Sequence, residues 1–188
     1  GAVCNRDGTR IISRGSDNTV NIWDVNTNTE IATLNGHEGG ILSAAFNPSS
    51  NRVATAGIDK TIRIWDANEG KELLKLKRHD KGFSSLVFIP DGKQLAGGSQ
   101  GMDGVIMIWN AETGQELYEF AGHTKTVSGL SFSADGKHLV SASFDGSVKV
   151  WNVGTRKNVV TLKGHYGGVH GAAFSPDGSR IVTSGVDK

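Results

Sequence analysis

The sequence has almost no cysteine, little proline and no excess of charge of either sign. Cys4 is the only cysteine among 188 residues, so neither an internal disulfide nor a cysteine-based zinc site can form. Lys and Arg total 20 and Asp and Glu total 19, for a net charge of +1. That balance gives no general attraction to nucleic acid or to an anionic membrane, and no apolar run approaches the roughly 18 residues of a membrane span. We therefore expect no nucleic-acid or membrane partner and an intracellular, cytoplasmic protein.

Glycine, in contrast, is abundant. It accounts for 26 of the 188 residues, about 14% and roughly twice its average usage. Only three prolines accompany it, so the chain is not a low-complexity Pro/Gly sequence. The glycines are expected in tight turns, and many turns imply many short strands.

Several residue types recur with one period. Tryptophans spaced 42, 44 and 42 residues apart, each followed by Asp or Asn, are Trp23, Trp65, Trp109 and Trp151. Histidines keep this spacing at His37, His79, His123 and His165, and aspartates keep it at Asp17, Asp59, Asp103, Asp145 and, once more, Asp187. Turns of the type Pro/Ala-Asp-Gly at 90–92, 134–136 and 176–178 are in the same register. Independent markers in one register indicate a true internal repeat.

Within one repeat, short apolar runs alternate with turn-forming residues. The runs lie at 41–46, 53–56, 61–65 and 73–76, and the segment 61–65 alternates with the period of two that is typical of a strand. Turn residues separate the runs at 47–50, 57–60 and 68–71. Four antiparallel strands in about 42 residues, without helical periodicity, predict an all-β propeller blade.

These residues resemble the WD-repeat β-propeller family. The resemblance rests on Gly-His at 36–37, 122–123 and 164–165, on the Pro-Asp-Gly turns, and on Trp-Asp at 23–24 and 65–66. It implies a propeller of four-stranded antiparallel blades and covers essentially the whole chain. It says much about the fold and almost nothing about a particular function.

The repeat boundaries predict a partial ring. We expect a partial blade at 1–34, whole blades at 35–76, 77–120 and 121–162, and a half blade at 163–188. Propellers of the resembling family usually have seven blades, which would need about 294 residues. The sequence is therefore interpreted as a fragment of about four and a half repeats from a larger propeller.

Each repeat brings a His, a hydroxyl residue, an Asp and a Trp into register. In the second blade these are His37, Thr55, Asp59 and Trp65, and in the fourth blade they are His123, Ser141, Asp145 and Trp151. A Ser-His-Asp set can indicate nucleophilic catalysis, but an active site occurs once, whereas this set recurs with the fold. In the resembling family these groups form a structural hydrogen-bond relay, and we expect that role here.

The third blade departs from the pattern. It has Arg78 before His79 instead of Gly, Gly97 where Ser or Thr is expected, and two extra residues around 101–102. Its relay is expected to be broken or bridged by water. Tolerated drift is one interpretation, and a functional loop on a regular scaffold is the other.

The residues just before the turn aspartates predict a binding surface. They are Ser16, Ile58, Met102, Phe144 and Val186, and four of these five are apolar beside a polar turn. Neighbouring loops add Lys81, Lys125 and Tyr166. Apolar anchors with a polar surround are typical of a protein-binding patch. The alternative is that these side chains pack under the loop of the adjacent blade.

The predicted function is a non-enzymatic scaffold that binds proteins or peptides on the propeller face, and membership of a larger complex fits this role. We expect no catalytic, cofactor or metal residues, because no constellation of polar residues stands outside the repeat. The alternative hypothesis is a regulatory or sensor propeller module of a larger signalling enzyme. Sequence outside residues 1–188 would separate the two.

Overall fold

The computed structural model describes residues 1–15, 17–77 and 82–187, and within these ranges it contains eighteen strands and no helix. The first sheet consists of β1 (Ala2–Cys4), β2 (Arg10–Arg14), β3 (Val20–Asp24) and β4 (Thr29–Leu34). The second consists of β5 (Ile41–Phe46), β6 (Arg52–Gly57), β7 (Thr61–Asp66) and β8 (Glu72–Lys77).

The remaining strands repeat this order. The third sheet consists of β9 (Phe83–Phe88), β10 (Gln94–Ser99), β11 (Val105–Asn110) and β12 (Glu116–Ala121). The fourth consists of β13 (Val127–Phe132), β14 (His138–Ser143), β15 (Ser147–Asn152) and β16 (Lys157–Lys163). A final hairpin pairs β17 (Val169–Phe174) with β18 (Ile181–Gly185).

Every sheet is a simple antiparallel meander in which neighbouring strands are consecutive in sequence. The first strands β1, β5, β9, β13 and β17 lie next to one another, so the sheets radiate from a common axis like blades. This confirms the prediction of an all-β propeller with four-stranded antiparallel blades. The described sheets form part of a ring and do not close it.

Burial explains why the strands differ in sequence. The middle strand β7 is buried along almost its whole length, because sheets pack against both of its faces, whereas the outer strand β8 alternates between buried and exposed residues. Strands buried on both faces read as continuous apolar runs, and half-exposed strands alternate.

The hydrophobic cores lie between consecutive sheets. Phe120 of β12 packs against Trp151 of the next sheet with 5.3 Å between ring centroids, and Leu34 shares a buried cluster with Trp65 in the same way. Each such side chain contributes roughly 1.5–3 kcal/mol by its burial. Leu162 occupies the corresponding position in β16 but is 40% exposed, because the described part of the final unit, the hairpin of β17 and β18, places no tryptophan against it.

Tight turns close the strand pairs at the rim that carries the Pro-Asp-Gly sequences. In the turn at 90–92, Gly92 has a φ of +74°, which a residue with a Cβ adopts only with strain. The Asp91 carboxylate accepts a hydrogen bond from the backbone N–H of Lys93 (2.9 Å).

In the described residues no helix is long and apolar enough to cross a bilayer.

Candidate functional site

The second sheet contains a chain of four hydrogen-bonded side chains. The Trp65 indole N–H donates to Thr55 Oγ1 (2.8 Å), and Thr55 Oγ1 lies 2.7 Å from His37 Nε2. His37 Nδ1 lies 2.9 Å from Asp59 Oδ2. The structure therefore brings together the four residues predicted for this relay.

The chemistry of the end groups fixes the direction of every hydrogen bond in this relay. An indole N–H can only donate, so Thr55 Oγ1 accepts from Trp65. Among the described residues, His37 Nε2 is the remaining partner of this hydroxyl, so the Thr55 proton is directed to Nε2. Nε2 therefore accepts, and the ring carries its proton on Nδ1, from which it donates to Asp59. A second ring proton would leave the Thr55 hydroxyl hydrogen without an acceptor in a fully buried place.

Electrostatics agree with a neutral histidine beside an ionised aspartate. Burial lowers the pKa of His37, and the hydrogen bond and charge of Asp59 only partly oppose this. Burial also raises the pKa of Asp59, but hydrogen bonds from the Glu38 N–H, the Thr61 hydroxyl and His37 outweigh it and hold that pKa well below its usual value.

The fourth sheet repeats the relay with serine in place of threonine. Trp151 donates to Ser141 Oγ (2.8 Å), Ser141 Oγ lies 2.7 Å from His123 Nε2, and His123 Nδ1 lies 2.8 Å from Asp145 Oδ2. Burial lowers the pKa of His123. Burial raises the pKa of Asp145, but hydrogen bonds from Ser147, from the Thr124 N–H and from His123 lower it overall to about 2.

The Ser141 hydroxyl lies 2.7 Å from one ring nitrogen of His123, and the Asp145 carboxylate lies 2.8 Å from the other. These are the distances of a catalytic triad. The surroundings differ from those of a nucleophile. Ser141 is fully buried, and the tryptophan indole occupies one side of its oxygen. A substrate carbonyl has no path to this hydroxyl, and the same holds for Thr55. The geometry suits a structural brace.

Two further relays are partial. In the final hairpin, His165 Nδ1 lies 2.6 Å from Asp187 Oδ1 and Nε2 lies 2.8 Å from Thr183 Oγ1, and the His165 and Asp187 side chains are both partly exposed. In the first sheet, the Trp23 indole donates to Ser13 Oγ (2.8 Å). Thr183 and Ser13 were not singled out from the sequence, although each lies at the repeat spacing from Ser141 or Thr55.

The third sheet lacks the hydroxyl of the relay. Gly97 pairs with Met107 at the position of Thr55, and the ring of Phe83 packs edge-to-face on Trp109 with 5.1 Å between centroids. A Cβ on Gly97 would lie 2.9 Å from the Trp109 ring, so the glycine makes room for this aromatic pair. His79 lies outside the described residues.

The relays determine which loops share a rim. Asp59 Oδ2 accepts from the backbone N–H of Glu38 (3.1 Å), and Asp145 Oδ2 accepts from that of Thr124 (3.0 Å). Each aspartate thus links its own turn to the loop that carries the histidine of the same relay. Thr61 and Ser147 brace the two aspartates from the other side. These turns and loops together form what we call the relay rim.

The residues that precede the turn aspartates project from the relay rim. Ile58, Met102, Phe144 and Val186 are 59%, 72%, 41% and 58% exposed, and Tyr166 in the neighbouring loop is 99% exposed. Lys125 is also exposed. Lys81 and Ser16, which the sequence placed in the same set, lie outside the described residues.

These side chains also contact the loops beside them. A Cβ on Gly40 would lie 3.2 Å from Ile58, and one on Gly168 would lie 3.0 Å from the Phe144 ring. Phe144 further packs edge-to-face on His170 of the next unit, with centroids 5.5 Å apart. Phe144 thus packs with part of its ring against the adjacent loop and leaves the rest exposed.

A groove of about 470 Å³ opens between the fourth sheet and the final hairpin. Phe144 and Tyr166 line it together with Lys125 and Lys163. Lys163, the last residue of β16, was missed from the sequence. Its equivalents are Asn35, Lys77 and Ala121, so it has no repeated signal, and only the packing of the two units brings it to the groove.

A larger cavity of about 630 Å³ lies along the inner strands, lined by apolar residues such as Ala44, Phe46, Leu86 and Phe88. This cavity opens onto the axis from which the sheets radiate. Across the described ranges, no group of three or more His, Cys, Asp or Glu residues is placed to hold a metal ion.

Radiating four-stranded sheets with a relay repeated from unit to unit define a repeat propeller. A family model described as WD domain, G-beta repeat (WD40) matches residues 28–66, 70–110, 114–152 and 156–188. The chain belongs to the WD40 family. No curated protein matches it closely enough to count as a relative.

The matched repeats are offset from the sheets. The match at 28–66 includes the outer strand of the first sheet and three strands of the second, so each repeat links two blades. WD40 repeats generally mediate protein–protein interaction, and WD40 domains are typically non-enzymatic interaction modules.

Proposed function

We propose that this chain is a non-enzymatic scaffold that binds a protein or peptide on the relay rim. The observation that supports the proposal is the set of exposed apolar side chains at equivalent places in successive blades: Ile58, Met102, Phe144 and Val186. Single exposed apolar residues are common on proteins, but a series beside polar turns is typical of an interface.

The structure supplies the rigidity that such a surface needs. Two buried relays hold the turns of Ile58 and Phe144, so these side chains start from fixed backbone positions. Preorganised anchors lose little conformational entropy on binding. Aromatic residues are enriched among the side chains that dominate binding energy, which favours Phe144 and Tyr166 as central contacts.

The experiment compares the proteins captured by the tagged wild-type chain with those captured by a Met102→Ala/Phe144→Ala variant. Val25→Ala is the matched control, since Val25 is 39% exposed and lies at the opposite rim. We expect specific partners to be lost from the double variant and kept by the control. Far-ultraviolet circular dichroism and denaturant unfolding verify that each variant is folded. Capture that is unchanged in the folded double variant would contradict the proposal.

A loss of about 2–5 kcal/mol in unfolding free energy, as core truncations give, would also contradict it. Phe144 and Met102 would then be packing residues, and the binding surface would lie elsewhere.

A further inference from the structure

The groove between the fourth sheet and the final hairpin carries two aromatic rings and two lysines. Phe144 and Tyr166 supply apolar area, and Lys125 and Lys163 lie at the same opening. Both lysines are exposed. Within the described ranges, neither ammonium group has a carboxylate within ion-pair distance.

The one carboxylate that lines the groove is already saturated. Asp145 Oδ1 accepts from the Ser147 N–H (2.8 Å) and hydroxyl (2.6 Å), and Oδ2 accepts from His123 and the Thr124 N–H. His165, which also lines the groove, is paired with Asp187 at 2.6 Å. Hydrogen bonds from neutral donors leave the negative charge of Asp145 in place but occupy both of its oxygens. The described residues that line the groove therefore carry two lysine charges against one carboxylate charge, and the groove presents a net positive potential.

A third lysine, Lys149 of β15, belongs to the same sheet but does not line the groove. It lies close enough to His123 to contribute to the lowering of that histidine's pKa, and its Nζ donates to Thr161 Oγ1 (3.1 Å). A neighbouring cation that bonds a neutral hydroxyl keeps its full charge. The attraction for a negatively charged ligand comes from Lys125 and Lys163, which line the groove.

We propose that the groove binds an acidic peptide segment of a partner protein, with an apolar side chain between its carboxylates. The apolar side chain would pack against Phe144 and Tyr166, and the carboxylates would pair with Lys125 and Lys163. This inference rests on the proposed function and adds the chemistry of the partner and the place where it binds.

The test selects binders from a displayed library of random peptides on the wild-type chain. We expect the selected peptides to be enriched in Asp and Glu around one apolar residue. Their affinity is expected to fall at least about tenfold in a Lys125→Glu/Lys163→Glu variant, since attraction becomes repulsion at two contacts. Lys125→Arg/Lys163→Arg should retain binding.

Lys157→Glu is the matched control. Lys157 is exposed and lies in the same strand as Lys163, at its other end, roughly 20 Å away along the strand. It receives, at one site outside the groove, the same charge reversal as each of the two groove lysines, and we expect binding to be unchanged. Each variant is checked for folding by circular dichroism.

The outcomes separate this inference from the proposed function. Peptides whose affinity falls in a Phe144→Ala variant but not in the lysine-reversal variant would overturn the acidic-peptide inference. The proposal that partners bind on the relay rim would still hold. Peptides that ignore Phe144, Met102 and both lysines, or the absence of any binder, would count against both. A chain that binds a labelled RNA oligonucleotide through these lysines and no peptide would also overturn the inference.

Discussion

Replacing His123 with alanine tests the structural role of the relay most sharply. The His123 side chain is inaccessible to solvent and bridges Ser141 and Asp145 at 2.7 and 2.8 Å. Its removal leaves the buried Ser141 hydroxyl with only a long contact to the Lys149 carbonyl oxygen (3.4 Å) as an acceptor for its proton. The Asp145 carboxylate keeps three other donors and lies near the surface, so it adds little to the loss.

The magnitude follows from these contacts. An orphaned buried partner costs about 1–3 kcal/mol, and the cavity left by an imidazole ring adds roughly 1 kcal/mol. We therefore expect His123→Ala to lower the free energy of unfolding by about 2–4 kcal/mol. His165→Ala is the internal control, because the His165 side chain is 23% exposed and water can replace its partners. There we expect a loss of roughly 0.5–1.5 kcal/mol.

The assay is urea unfolding of the wild-type chain and both variants, followed by circular dichroism and tryptophan fluorescence. Equal losses for the two histidines would refute the reasoning, because it assigns the difference to burial. A His123→Ala variant as stable as the wild type would show that the relay contributes nothing to the fold.

Two further predictions concern the relays. Burial lowers the pKa of His37 and of His123 below the ordinary 6.5. Below about pH 6.5 these histidines therefore bind protons in the unfolded chain and stay neutral in the folded chain. Stability should therefore fall as pH drops from about 7 to about 5, and a rise in the unfolding midpoint over that range would mean that the histidines are charged in the fold. Gly97→Ser should not restore a relay in the third sheet, since its Cβ meets two rings at 2.9 and 3.1 Å. We expect it to lower unfolding free energy by about 1–3 kcal/mol, and a stabilised variant would contradict this.

The fold could be predicted from the sequence because the same residue types recur at the same positions of successive repeats. One tryptophan or one histidine says little, but the same residue at intervals of 42, 44 and 42 residues gives the period, and the apolar runs within one period give the number of strands. The strands predicted at 41–46 and 61–65 begin and end within one residue of β5 and β7. The period also predicts that the Ser-His-Asp set belongs to the scaffold.

The candidate site could be predicted only in part. Ile58 and Met102 were found because a residue before a repeated turn must reach the rim. The Phe144 contact with His170 depends on how two units pack, and the strand pattern of one unit does not encode it. Lys163 was missed for the same reason. At Gly97 the sequence showed a missing hydroxyl, but the aromatic pair that fills the space requires the three-dimensional structure.

The most direct test of partner binding on the relay rim is amide hydrogen exchange of the chain with and without a captured partner or selected peptide. We expect protection in the turns at 57–60, 101–104 and 143–146 and in the loop at 163–168. Protection confined to the opposite rim, in the turns at 47–50, 90–92 and 134–136, would contradict it.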